Sequence, residues 1–472
     1  MGVEQEQAST LTDAGLPADV VHAWQAGRPT ALPRGESGGS ALAGDAQVAG
    51  RYFSLADDLR GRLPPKADRS EREQAAAEVV LAGARAVRRE FLDIYGSAIY
   101  AELTEGYRRF LRVDELVYAA AERYPGLVPT RSAVARERRC RQRDKDGLEI
   151  DQGLFLADVL ARPRPGTHLV NAMLRPLPAS LDRLDELRTS GRVDLGAARL
   201  ERRGVAGYVE MHNPRYLNAE DDTTVEPLEM AIDLVLLDPT LALGVLRGSP
   251  AEHPRHGGRR VFSAGINLSH LYEGQISFLF YMTRDLGLVN KLYRGLSAPE
   301  QRPLELEATH EKPWIAAVES FAIGGGCQLL LVMDRVLAEQ SSYFNLPARK
   351  EGIIPGVANM RLPRLVGERL ARAAILFDQT FAADSSEGRL LCDQVVPDGE
   401  MDGALAGAVD ALTGSGVVSA DGNRKALRVG LEPLQLFREY MSVYAREQAF
   451  CHFSPQLIRN LEQNWLNRRR TL

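Results

Sequence analysis

Two glycine-containing turns carry the residues best suited to chemistry in this chain. The first is FSAGINL at 262–268 and the second is AIGGGCQL at 322–329. Each follows an apolar run that reads as a strand and precedes one that reads as a helix. Glycine allows close approach of the backbone to a ligand and tolerates positive φ. At a strand-to-helix turn the unpaired N–H groups point outward, and the helix dipole favours negative charge. Two such turns can aim two N–H groups at one developing oxyanion, where losing a single donor costs about 3 kcal/mol of transition-state stabilisation. Taken singly, either turn is equally well explained by tight strand–helix packing.

Other chemistries find less support. The four cysteines, Cys140, Cys327, Cys392 and Cys451, form no CxxC pair, which argues against a disulfide framework or a zinc site and fits a reducing, cytoplasmic compartment. His253 and His256 stand close together, but no Cys or Asp nearby completes a metal site, so none is expected. A formal net charge of -5 and an isoelectric point of about 6.0 disfavour nucleic acid as a partner. The first residues, MGVEQEQAST, lack the basic and apolar regions of a signal peptide and do not match a myristoylation site. No apolar stretch is long enough for a membrane span.

The elements that must position these turns follow from the pattern along the 472 residues. The run RGESGGS at 34–40 reads as a flexible loop. Residues 71–123 carry alanines, leucines and charges at helical spacing, and residues 125–200 add shorter helical pieces broken by Pro163 and Pro165. This predicts a mainly helical N-terminal domain over 1–200. A new regime then begins. GVAGYVEMHNP, LALGVLRGS, VFSAGIN, KPWIAAVESFAIGGG and RVLAEQSSYFN read as strands, with EPLEMAIDLVLLDP and CQLLLVMD as helices between them. Alternating strands and helices predict an α/β core with a mostly parallel sheet over 201–404. Residues 405–472 read as a C-terminal helical segment.

Several motifs in order resemble the crotonase (enoyl-CoA hydratase/isomerase) superfamily: HNPRYLN, FSAGINL, KPWIAAVESFAIGGGCQLLLVMDRVLAE, FNLPARKEGIIPG, RLPRLVGERLARAAIL and CDQVVP. The resemblance spans 204–396 and implies the family's ClpP-like ββα superhelix, an acyl-CoA thioester substrate, and oxyanion donors at the amides of Ile266 and Gly325. It also implies a trimer or a hexamer, with the C-terminal helices serving the CoA site and subunit contacts. Hydratases of the family place one glutamate after the GGGC turn and another after the proline of the next turn. Here those positions hold Gln328 and Ala348. Gln328 cannot take a proton and Ala348 offers nothing polar, so hydration is not expected.

With its long helical N-terminal region, the chain resembles the family's cofactor-independent dioxygenases of 3,5-dihydroxyphenylacetyl-CoA, which serve glycopeptide antibiotic biosynthesis. That resemblance implies O2 as co-substrate and no metal or organic cofactor. On the same footing, Gln328 faces the substrate, Glu220 is placed to accept from a ring hydroxyl, and Arg284 to meet the second hydroxyl or a neighbouring carboxylate. Arg215 and the basic loop with His253, Arg255, His256, Gly257, Arg259 and Arg260 suit the CoA phosphates. Backbone at Ala264, Gly265, Asn267 and Leu268 would contact the pantetheine or adenine, Gly326 would bind substrate, and Ile353 and Ile354 would wall a dry oxygen pocket. The N-terminal helices would cap the substrate end of the cleft. No residue stands out as the base for the α proton, and a second ionisation of the substrate's phenols is one alternative. The residues alone also leave open a thioesterase, a decarboxylase, an isomerase or a silent CoA-binding protein.

Overall fold

The computed structural model of the chain describes residues 2–29, 39–297, 309–414 and 419–463. Of the expected 34–40 loop, residues 34–38 lie outside the described residues, and Gly39 already opens the helix Gly39–Gly61. The predicted amphipathic run at 71–123 forms two helices, Glu71–Leu103 and Val113–Arg123. Ser70 starts the first through a capping box: its side chain accepts the Glu73 N–H, and the Glu73 carboxylate accepts the Ser70 N–H at 2.8 Å. Val80, Ala84, Val87, Phe91, Tyr95 and Ile99 then recur every three or four residues along its buried face. Pro163 and Pro178 do not break helices but open them, in Pro163–Met173 and Pro178–Ser190, where a missing N–H costs nothing. The helix Ile150–Ala161 is buried along almost its whole length, sandwiched against the C-terminal helix Leu434–His452 and Glu71–Leu103.

The main sheet comprises β1 Arg192–Asp194, β2 Ala198–Arg203, β3 Ala206–Met211, β4 Leu243–Gly248, β5 Trp314–Val318, β6 Arg335–Glu339 and β7 Gln394–Val396, in that spatial order. From β3 to β7 all pairings are parallel, whereas β1, β2 and β3 form an antiparallel meander. The first two strands therefore lie largely before residue 201. Every residue of β4 and β5 is buried, as expected for parallel strands covered on both faces.

Four sequence expectations change at this level. KPWIAAVESFAIGGG is two strands rather than one. After β5 the chain leaves the main sheet, and Phe321–Ile323 joins a small second sheet with Tyr343–Asn345 and Phe381–Ala382. RVLAEQSSYFN divides in the same way, between β6 and Tyr343–Asn345. VFSAGIN is not a strand. It touches its neighbours through isolated bridges, Ser263 with Ala322 and Ile266 with Glu220. The helix at CQLLLVMD is also shorter than its apolar run, spanning Gly325–Leu330.

Candidate active site

The bridge between Ser263 and Ala322 is parallel, so the two glycine turns run side by side in register. Ile323 N–H donates to the Ser263 carbonyl at 2.9 Å. Counting on from that pair sets Gly265 beside Gly324 and Ile266 beside Gly325. Gly265 has φ +82°, and a Cβ there would lie 2.8 Å from the Ile323 carbonyl oxygen and 3.2 Å from the Gly325 nitrogen. Only glycine allows both the conformation and this approach.

The amides around each turn are spent on structure. Ala264 N–H donates to Leu217, Gly265 N–H to the Ser263 hydroxyl, Asn267 N–H to Glu220 and Gly324 N–H to Asn345. Among the described residues, the amides of Ile266 and Gly325 donate to no other backbone group. Gly325 opens a helix, where an unpaired N–H is the rule. The two donors expected at 266 and 325 thus stand adjacent and unspent.

They line a narrow cleft with a cavity of about 30 Å³, together with Glu220, Phe280, Tyr281, Arg284, Asp285, Gln328, Ile353, Ile354, Gly356 and Tyr444. Arg284 organises its polar end. Its Nε and Nη2 donate to the two oxygens of Glu220 at 2.9 and 3.0 Å. Its Nη1 donates to Asp285 at 2.8 Å and to Gln328 Oε1 at 2.9 Å, and its Nη2 also reaches the Gly325 carbonyl at 2.8 Å. Glu220, Arg284 and Asp285 are all at most 4% exposed. The paired carboxylates hold the Arg284 guanidinium above its usual range against the cost of burial, while burial pushes the Asp285 carboxyl up, with Arg284 opposing. The fork geometry of arginine allows this, since one planar group meets four acceptors. A side chain on Gly325 would run into Glu220 Oε2, so the glycine also makes room for that carboxylate.

A π-helical turn, Arg284–Leu288, interrupts the helix that runs on from Phe278–Thr283 to Val289–Arg294. It buries two consecutive charged residues, Arg284 and Asp285, in a stretch that is otherwise apolar, and such turns are frequent at functional sites. Sequence reading picked out Arg284 but missed Asp285, although RD is the only charged pair in FLFYMTRDLGLV. It also missed Tyr281, Tyr444 and Phe280. Tyr444 comes from Leu434–His452 and carries no local signal linking it to the cleft.

Other expected contacts are differently engaged. Asn267 is an N-cap: its side chain accepts the His270 N–H and donates to Asp221 at 3.0 Å. Gly326 packs against Ser263 and does not line the cleft. Ala264 packs beside Ala251, Val261 and Phe321, and Leu268 is partly buried against the main core. Arg215, Arg255, Gly257 and Arg259 are exposed. Arg260 is committed to Glu210 and the Gly248 carbonyl. His253 and His256 stack toward Phe321, with His256 edge-on to that ring at 5.4 Å, which places the basic loop beside the strand leading into the second glycine turn. No group of three or more His, Cys, Asp or Glu side chains suited to a metal occurs among the described residues. None of their helices is long and apolar enough to cross a membrane.

Two adjacent glycine turns with unspent amides, set beside a mostly parallel sheet, define a crotonase-type enzyme core. The family model described as enoyl-CoA hydratase/isomerase matches residues 201–442, and the chain belongs to that family. It is 46% identical over 415 residues to the (3,5-dihydroxyphenyl)acetyl-CoA 1,2-dioxygenase of Amycolatopsis orientalis, an alignment covering 88% of this chain and 94% of the relative. The short-chain-enoyl-CoA hydratase of Clostridium acetobutylicum is 27% identical over 51% of this chain and 84% of its own. A solved enoyl-CoA hydratase from Mycobacterium avium subsp. paratuberculosis K-10 superposes with a TM-score of 0.48 at 18% identity, over 57% of this chain and 99% of that one.

Proposed function

We propose that this chain is a dioxygenase, needing no metal or organic cofactor, that converts 3,5-dihydroxyphenylacetyl-CoA and O2 to 3,5-dihydroxyphenylglyoxylate and free CoA. The observation that carries this proposal is the pairing of two adjacent, unspent amides at 266 and 325 with the absence of a carboxylate at 328 or 348. The oxyanion machinery stays and the hydratase acids are gone. Identity of 46% with the dioxygenase over nearly the whole chain supports the substrate.

The chemistry follows from the substrate. Both the thioester and the dihydroxyphenyl ring acidify its α carbon. Loss of the first α proton sends the C–H electron pair to the thioester oxygen, held between the Ile266 and Gly325 amides. The electron-rich enolate reduces O2 and bonds to it at Cα. The terminal peroxide oxygen attacks the thioester carbonyl and expels CoA thiolate. The O–O bond then breaks as the second α hydrogen leaves as a proton, which puts both oxygen atoms in the keto acid. The protein holds the enolate, excludes water and admits O2. Arg284, Glu220 and Gln328 supply the polar end for the ring hydroxyls, and Ile353 and Ile354 the apolar wall beside Cα. The exposed Arg215, Arg255 and Arg259 suit the CoA phosphates.

This activity belongs in the cytoplasm, in the dihydroxyphenylglycine branch of vancomycin-type glycopeptide antibiotic assembly. Leu436, Val443 and Phe450, spaced seven apart and all exposed on Leu434–His452, suit a homo-oligomer such as a trimer or hexamer.

Chelator-treated protein is incubated with the thioester in air and under nitrogen. CoA release should require O2, with one O2 consumed per CoA and both atoms of 18O2 in the acid. Equal release in both gases would make it a thioesterase, and no turnover in either would make it a silent binding protein.

A further inference from the structure

Two amide donors can stabilise an enolate but cannot take the α proton that forms it. Glu220 is tied bidentate to Arg284, and Asp285 to the same guanidinium, so neither carboxylate is free to act. One other carboxylate stands close. Glu351 ends the short helix Ala348–Glu351, directly before the Gly352 turn that leads to Ile353 and Ile354. A Cβ at Gly324 would lie 3.9 Å from Glu351 Oε2, with Gly265 Cα 3.6 Å from the same point. The carboxylate therefore sits against the peptide that carries the Gly325 donor. From the other side, it acts electrostatically on the hydroxyl of Tyr281, a cleft residue. Among the described residues, the Glu351 carboxylate has no hydrogen-bond or ion-pair partner.

Its place in the sequence departs from the family's pattern. A hydratase acid is absent at 348, but positions 348 and 351 are three apart on one helix and share a face. A carboxylate carried one turn further on lies behind the Gly324 backbone, beside the cleft residues Gly325 and Ile353.

We propose that Glu351 is the base that takes the α proton of the thioester. The proposal rests on the enolate reading above. In this step the Cα–H bond breaks, its electron pair becomes the enolate, and the proton moves to Glu351 Oε2. The protonated acid can later return that proton to the departing CoA thiolate.

The surroundings suit the role. Burial, then the carboxylate of Asp378 at the end of helix Ala358–Phe377, push the Glu351 carboxyl up to about 8, with Lys350 opposing. Lys350 is itself paired with Asp378 at 2.9 Å. Tyr281 faces it from Phe278–Thr283, and the helix Pro455–Leu461 packs on its own element with the neutral Asn460, bonded to the Arg349 carbonyl. A base with a proton affinity near the working pH is well matched to general base catalysis.

The test is exchange of the α hydrogens of 3,5-dihydroxyphenylacetyl-CoA in D2O under nitrogen, where oxygenation cannot intervene. The full-length wild type should exchange them, with a rate that rises with pH through about 8. Glu351→Gln should slow exchange by about 100-fold or more and lose that pH limb, since general base catalysis supplies typically that much. Exchange by Glu351→Gln within a few-fold of wild type, with the limb intact, overturns the assignment. If the glutamine variant does not fold, Glu351→Ala decides: formate should restore exchange, and exchange indifferent to formate counts against Glu351. A wild type that neither exchanges nor consumes O2 sinks the enolate reading itself, and this proposal with it.

Discussion

Arg284 is the side chain on which the cleft's polar end depends. Its guanidinium separates two buried carboxylates, Glu220 and Asp285, and fixes Gln328 and the Gly325 carbonyl at the same time. Removing one partner of a buried ion pair typically costs about 3–5 kcal/mol, because the other charge is left uncompensated. Arg284→Met should therefore lower the denaturation midpoint clearly and cut kcat/KM by at least about 100-fold, while Arg284→Lys should keep charge but not the four-way geometry. A Lys variant with wild-type KM and kcat would show that the fork is dispensable. At this scale the sequence was legible where a motif supplied the frame. Ile266, Gly325, Glu220, Gln328, Ile353 and Ile354, which the family resemblance picked out, all line one cleft. Residues whose backbone or side chain the fold itself needs, such as Asn267 and Gly326, looked the same in the sequence as residues facing a ligand. Glu351 was missed because it stands four positions after Pro347, where the family's pattern does not place an acid.

Elements were legible where periodicity was long and local. Glu71–Leu103 announces itself by its apolar spacing and by the Ser70–Glu73 box. The glycine-turn strands were not resolved correctly, because the change of sheet between β5 and Phe321–Ile323 leaves only a two-residue polar break, Glu319 and Ser320, between WIAAV and FAI. Helix packing was also invisible, and it places one strict demand. Gly153 on Ile150–Ala161 faces Leu434–His452 so closely that a Cβ would collide with Ala449 Cβ and lie 2.9 Å from the Ala445 carbonyl oxygen. Alanine is the better helix former by about 1 kcal/mol, but overpacking costs about 1–3 kcal/mol, so packing should win. Gly153→Ala is thus expected to lower stability toward urea, and Ala449→Gly in the same chain should recover part of the loss. It should lower activity as well, since the displaced helix carries Tyr444 into the cleft. A Gly153→Ala protein as stable as wild type would show that these helices separate freely.

Across the whole molecule, the helical segments at the two ends of the chain form one body with the sheet core, and each buries a histidine. His452, on the C-terminal helix, bonds the Tyr281 hydroxyl, and His168, in the N-terminal region, bonds the Tyr100 hydroxyl. Burial pushes His452 down to about 3 and His168 down to about 4. Both are neutral in the folded chain near neutral pH. An unfolded histidine titrates near 6.5, so below that pH the unfolded state binds protons the folded state refuses. Their stabilisation is complete above about pH 6.5 and is lost as pH falls toward 4 and 3. A buried carboxyl runs the opposite way. Glu149, fully buried and bonded to the Phe278 N–H, is pushed up to about 7, mainly by burial. Its folded form holds a proton the unfolded form has released, so its contribution is present below about pH 4.5 and is lost as pH rises through 7. Comparing each variant with wild type isolates these opposed slopes from the rest of the titration. His452→Gln should gain on wild type as pH falls from 7 to 4, by at most about 1.4 kcal/mol per pH unit below 6.5. Glu149→Gln should gain on wild type as pH rises from 5 to 7. Urea titrations across that range measure both, and differences that stay flat with pH would mean that neither group is held neutral by the fold.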